Sequence, residues 1–298
     1  MKCNVLEGPD TTARLFLLAH RALAPGGELG APYRMAWCLQ MLDGSAMVCE
    51  ELMRLDERRH EGDRWHHRGA LGLRAANDGL LLESGMYELL RGYFQRESYY
   101  PRAVDTFQQV AQMAILGRCL DLRASEAAGE ARLAMFNSQH LADIARHATA
   151  YPRLYLPLVL AAAMAGYEES LLGEASELIL KIGVYGRFQD DVLGLAAGTR
   201  GGTAALELGR CTWPAVVTLQ RATPRQRLAL QNCYGCSGQD NVSAVKEIYA
   251  EVGIEELFAD YKREEIKCLS SGVDKIQDEN VRDLLRMILN IVTTQIIM

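Results

Sequence analysis

The chain has 298 residues, 49% of them apolar, with a formal net charge of −6 and an isoelectric point near 5.6. An acidic balance excludes charge-driven nucleic-acid binding, which needs a basic face, and the apolar share is ample for a large core. The eight cysteines are scattered, mostly in apolar stretches such as those around Cys38, Cys49 and Cys119. That is the usage of buried thiols in a reducing compartment, not of a disulfide framework. No basic-then-apolar leader opens the chain, and Arg or Glu interrupts most apolar runs before spanning length, so a cytoplasmic chain without a membrane span is expected.

Apolar positions recur with a 3.6-residue period almost throughout. They predict helices over about 12–23, 32–54, 71–94, 101–122, 131–148, 157–164, 170–194, 204–220, 224–230, 242–252, 254–267 and 280–294. Pro32, Pro101 and Pro224 sit where a first-turn proline is tolerated, while Pro25-Gly26-Gly27 and the glycines from Gly198 to Gly202 break helices. No repeat or linker divides the chain. An all-α fold is expected, a single domain over 1–298 built as a large helical bundle around a central cavity.

Acidic residues stand near three helix ends: Glu50 and Glu51, Asp121, and Asp190 with Asp191. Carboxylate oxygens are the hard ligands that Mg²⁺ prefers, and Mg²⁺ usually reaches a protein through one or two carboxylates plus substrate phosphates. On the residues alone each is equally an ordinary solvated acid near a helix terminus. Cys233-Tyr234-Gly235-Cys236 is a lone CxxC without a second pair, so zinc is not expected. His66 and His67 follow Trp65 in a charged turn, and His20 and His147 lie in apolar helices as bonded core histidines.

The order and spacing of several motifs together are more specific. Asn77-Asp78, Tyr99-Tyr100, Leu120-Asp121-Leu122, Tyr155-Leu156-Pro157, Phe188-Gln189-Asp190-Asp191, Cys211-Thr212-Trp213 and Leu219-Gln220-Arg221-Ala222-Thr223-Pro224 follow one another with few gaps. Over nearly the whole chain this series resembles the farnesyl diphosphate synthase family of trans-isoprenyl diphosphate synthases. The resemblance implies the isoprenoid synthase fold and a homodimer. It also implies Mg²⁺-dependent ionisation of an allylic prenyl diphosphate, with isopentenyl diphosphate attacking the cation. Metal ions there neutralise the charge that develops on the departing diphosphate.

Carried over residue by residue, the resemblance places Glu50, Glu51, Asp121, Asp190 and Asp191 at the catalytic acids. Of these Glu50, Glu51, Asp121 and Asp190 are read as metal ligands. Arg59 falls at the allylic-diphosphate arginine, and Thr149, Gln189, Arg187 and Arg200 are read as substrate-binding. The first aspartate-rich motif here reads Glu50-Glu51-Leu52-Met53-Arg54, and the second ends in Gly194. Where the family binds isopentenyl diphosphate through Gly-Gly-Lys-x-x-Arg, this chain has Glu7-Gly8-Pro9-Asp10-Thr11-Thr12; Asp43 replaces a glutamine and His60 an arginine. Lost charged hydrogen bonds at about 1.5–3 kcal/mol each weaken that second site. Ser45 and Ala46 stand where farnesyl-producing members floor the chain pocket with aromatics, so a deeper pocket is expected. The family also continues about two helices upstream of Met1, so the chain reads as lacking its N-terminal helices. Three readings follow: a prenyltransferase, a terpene synthase that ionises an allylic diphosphate without isopentenyl diphosphate, and a non-catalytic homologue acting as a binding partner.

Overall fold

The structure is a computed structural model that describes residues 5, 6, 8, 10–53, 72–196 and 200–294. Among them there is no strand; the fold is all-α, of the isoprenoid synthase type. The helices are α1 (Thr11–Leu23), α2 (Gly30–Met53), α3 (Ala75–Phe94, entered through a 3₁₀ turn at Gly72–Arg74), α4 (Tyr100–Glu126), α5 (Gly129–Met135) and α6 (Ser138–Ile144). A π-helical segment, Ala145–Tyr155, leads into α7 (Leu156–Met164) and α8 (Glu169–Ala196). Then come α9 (Arg200–Glu207), α10 (Trp213–Arg221), α11 (Pro224–Cys233), α12 (Gln239–Val252), α13 (Ile254–Asp274) and α14 (Glu279–Thr294). None of the described helices is long and apolar enough to cross a membrane.

The chain divides into two compact units. The first is Met1–Ala111 with Leu156–Glu169. In it α2 and α3 pair antiparallel at small residues. A Cβ on Gly79 would lie 3.3 Å from Val48 Cγ1 and one on Gly85 would lie 3.0 Å from Met41 Cε. Helix α1 packs on α7 and α2, and Phe16 and Ala19 are fully buried there. The sequence of α7 from Leu156 to Ala163 holds no polar side chain and is buried all round, as a core helix is. Burial lowers the pKa of His20 on α1, favouring its neutral form.

The second unit is Gln112–Tyr155 with Ser170–Met298. Its core gathers Trp213, Phe258, Tyr261 and Phe188; the Trp213 and Phe258 rings meet edge to face at 5.1 Å. Helix α14 buries Val281, Leu284, Leu285, Ile288, Leu289 and Val292, the i, i+3, i+4 stripe of an amphipathic helix. At the joints, Thr223 and Gln226 form a reciprocal capping box ahead of α11, with Pro224 at its first position. Gly253 (φ +74) separates α12 from α13, a left-handed turn that favours glycine.

Two expected helices are broken. The stretch 131–148 divides because Asn137 is extended and accepts a hydrogen bond from the His140 N–H, starting a new helix as N-cap residues do. The stretch 204–220 divides because Gly209 takes φ +63 and Thr212 caps α10. Beyond residue 144 the winding widens to the π form and runs through Pro152, which supplies no N–H. The expected ends at Leu71 and Arg54 lie outside the described residues.

Two further glycines fix this segment. A Cβ on Gly117 of α4 would strike the backbone of His147 and Ala148, and one on Gly183 of α8 would stand 2.6 Å from Ala150 Cβ. Replacing a helix-interior glycine by alanine ordinarily gains about 1 kcal/mol, whereas overpacking costs about 1–3 kcal/mol. Gly183→Ala is therefore expected to lower stability in urea denaturation. Gly173→Ala, in the same helix with nothing within 4 Å of the new methyl, is expected to leave stability unchanged or raise it.

Candidate active site

The glycine contacts of the second unit set the heights of the polar residues that follow. Asp121 stands one turn after Gly117 on α4. Arg187 and Asp191 stand one and two turns after Gly183 on α8. Residues four apart share a helix face, so both rows continue past the π-helical segment that carries Thr149. Thr149 is 5% exposed, and its hydroxyl oxygen accepts from Arg187 Nη1 at 3.3 Å. Arg187 Nε donates to Asp191 Oδ1 at 2.8 Å, and the other Asp191 oxygen accepts the Trp213 backbone N–H at 3.1 Å.

The segment Arg210 to Trp213 joins this group to α4. Arg210 Nε donates to Asp121 Oδ2 at 2.9 Å, and its Nη2 holds the same oxygen. Asp121 Oδ1 is buried without a partner among the described residues. Between the two acids lies Cys211, fully buried; burial first, then the charges of Asp121 and Asp191, push its thiol well up, so it stays neutral. Behind it the Tyr234 hydroxyl donates to the Arg210 carbonyl at 2.7 Å. The result is a buried network of two carboxylates and two guanidinium groups, each acid held by one cation.

The expected residues are distributed as follows. Thr149, Arg187, Asp121 and Asp191 come together in this network. Asp190 is half-buried beside it on α8, with one carboxylate oxygen shielded from solvent. Gln189 is 2% exposed. Its amide nitrogen donates to the Val292 carbonyl at 2.6 Å and its oxygen accepts from Tyr185 Oη at 2.8 Å, which ties α8 to α14. Glu50 and Glu51 are half-buried in the last turns of α2, in the first unit, as are the buried Ser45 and half-buried Ala46 further back along it. Arg59 lies outside the described residues, as does the side chain of Arg200, whose backbone begins α9. Arg210 and the Trp213 N–H were not anticipated. The signal that could have found them is their position in and next to the matched Cys211-Thr212-Trp213.

A magnesium centre draws on carboxylate oxygens left open to the ion. Here both Asp191 oxygens and Asp121 Oδ2 already accept protein donors, and no three Asp, Glu, His or Cys side chains converge as a ligand group among the described residues. As arranged, these residues do not fit a metal cluster. Removing one partner of such a buried ion pair costs about 3–5 kcal/mol, because the other charge is left uncompensated, while an apolar replacement of both is far less costly. Arg210→Met is expected to lose about that much stability. The double substitution Arg210→Met with Asp121→Leu is expected to recover most of the loss, as a double-mutant cycle in urea would measure.

The polyprenyl synthetase family model matches residues 2–252. The farnesyl pyrophosphate synthase of Gallus gallus is 30% identical over 284 residues, covering 92% of this chain and 77% of the relative. That of Bos taurus is 30% identical over 89% of this chain and 77% of its own length. That of Murgantia histrionica is 28% identical over 97% of this chain and 73% of its own length. Such enzymes are transferases, and the family is generally Mg²⁺-dependent. The match takes in every acid and cation of the network described above, and on it the chain belongs to the polyprenyl synthetase family, the prenyl diphosphate enzymes of isoprenoid biosynthesis.

Proposed function

We propose that the protein binds an allylic prenyl diphosphate beside Asp190 and Asp191 and transfers its prenyl group in isoprenoid biosynthesis. The observation that carries this is the network of Thr149, Arg187, Asp191, Asp121 and Arg210 lying within the family match. When the allylic C–O bond breaks, negative charge gathers on the departing diphosphate, and pre-placed donors stabilise it most in the transition state. Guanidinium groups suit this task because their donors lie in one plane matched to phosphate oxygens. The Thr149 hydroxyl, accepting from Arg187, keeps its own proton to donate. The neutral Cys211 thiol and buried Phe188 add no competing charge.

Mg²⁺ belongs to this proposal through the family, with Glu50, Glu51, Asp121 and Asp190 the acids read for it. The guanidinium of Arg210 on Asp121 opposes it and favours a second reading, a homologue that binds the diphosphate without turning it over. Ser45 and Ala46, small where a floor would be bulky, support a chain longer than farnesyl. A cytoplasmic homodimer completes the reading. Apolar side chains left exposed on α2, Tyr33 at 52% and Trp37 at 43%, support a second copy; a monomeric mass in light scattering removes it.

The test incubates purified protein with dimethylallyl, geranyl, farnesyl or geranylgeranyl diphosphate, with and without isopentenyl diphosphate and with and without Mg²⁺. Pyrophosphate release and products are followed. An elongated diphosphate is expected, and the pair Asp190→Ala with Asp191→Ala is expected to lower its rate at least about a hundredfold. Release without isopentenyl diphosphate, giving alcohol or hydrocarbon, would replace transfer by a terpene synthase reaction. Binding without turnover would establish the second reading, and neither binding nor turnover would end both.

A further inference from the structure

The CxxC sequence at the end of α11 is not absorbed by the prenyl diphosphate chemistry, and its backbone is that of a tight turn. The Cys236 N–H donates to the Cys233 carbonyl at 3.2 Å. Tyr234 has φ −73 and ψ 127, and Gly235 has φ +77. These are the angles of a type II β-turn with glycine at its left-handed position. Such a turn brings its first and fourth Cα atoms within about 7 Å, overlapping the 4.4–6.8 Å that a disulfide spans. Both thiols are free and half-buried, and Cys236 Sγ lies back over the turn, 3.3 Å from the Asn232 carbonyl.

The turn is clamped from three sides. Arg132, 8% exposed, donates to the Tyr234 carbonyl and, at 3.1 Å, to that of Ser125. Its guanidinium lies against Gly209 and Gly235, where a Cβ would collide with it. The Gly235 N–H donates to the Leu206 carbonyl at 2.9 Å. The Arg132 guanidinium is therefore packed against the residue before Cys236. Zinc would need about four ligands, and no third Cys, His, Asp or Glu joins the pair among the described residues.

We propose that Cys233 and Cys236 are a redox-active dithiol that closes to an intrachain disulfide in exchange with a small-molecule disulfide of the glutathione type. One cysteine thiolate attacks a sulfur of the oxidised tripeptide, forming a mixed disulfide and expelling one glutathione thiolate. The second cysteine thiolate then attacks the protein sulfur of that mixed disulfide and expels the other. Two electrons pass from the cysteines to the glutathione pair, and the two cysteine protons end on the two glutathione thiols. Because the glycine-bearing turn already holds the first and fourth residues together, closure leaves the Arg132, Leu206 and Arg210 contacts of the turn in place. The other thiols serve as internal controls: Cys119 and Cys268 are exposed but without a CxxC partner, and Cys211 is fully buried.

The full chain is equilibrated across a series of reduced and oxidised glutathione mixtures, quenched with acid, alkylated and digested with trypsin. Peptide 228–246 carries both cysteines. As the mixture becomes oxidising it is expected to escape alkylation and to weigh two hydrogens, about 2 Da, less than the unalkylated dithiol peptide, and after dithiothreitol to take up two alkyl groups. Cys233→Ser and Cys236→Ser are each expected to stop at a glutathione mixed disulfide on the remaining cysteine. Full alkylation of both cysteines at every mixture would overturn the proposal. So would glutathione on each cysteine separately without closure, or the same loss of hydrogens in either serine variant.

Discussion

The approach of α4 and α8 onto the π-helical segment at Gly117 and Gly183 is the constraint on which the rest of the second unit depends. The nearest neighbours there are backbone and Cβ atoms, which no rotamer change can move away, so the register of both helices against residues 145–155 is fixed to a fraction of a turn. Asp121, Arg187 and Asp191 follow these contacts by one or two turns. Thr149, on the segment they flank, is thereby brought to Arg187. Interiors packed to crystal density transmit such placement faithfully, and a widened helical turn is a frequent device where a side chain must be re-aimed.

Within the network each acid is held by a guanidinium, Asp191 by Arg187 and Asp121 by Arg210. Asp121 and Asp191 sit in surroundings that raise the neighbouring Cys211 thiol, and a carboxylate held so deeply needs a close counter-ion to remain charged. Arg187 and Arg210 supply it. A diphosphate entering here would meet guanidinium groups already aimed and already desolvated, and would compete with carboxylates for them. The specificity of such an exchange lies in geometry, since a planar guanidinium can turn from one oxyanion to another with little rearrangement.

Much of this was legible in the sequence. The amphipathic period located the long helices among the described residues, because an apolar stripe must face a core whatever the details of packing, and so put Asp121 on α4 and Asp190 and Asp191 on α8. What stayed hidden was non-local or confined to single residues. Arg210 reaches Asp121 across 89 positions, a distance over which no local pattern informs. Asn137 and Gly209 end helices inside stretches whose apolar spacing runs on undisturbed. The π winding could not be read because Pro152 looks, in one dimension, like a plain stop. Gln189, read as substrate-binding, has both ends of its amide occupied within the protein, something only its neighbours in space could disclose.

That amide bears on the far end of the chain. The last carbonyls of a helix ordinarily face water and open almost freely. In α14 the Val292 carbonyl takes its bond from Gln189, and the Thr293 carbonyl takes one from Lys262 Nζ at 3.1 Å. To fray, the final turn must abandon a buried amide two residues from Asp191 on α8. Amide protons there should consequently exchange with solvent on the schedule of α8 rather than of a loose end, making the tail a reporter of the interior to which it is fastened.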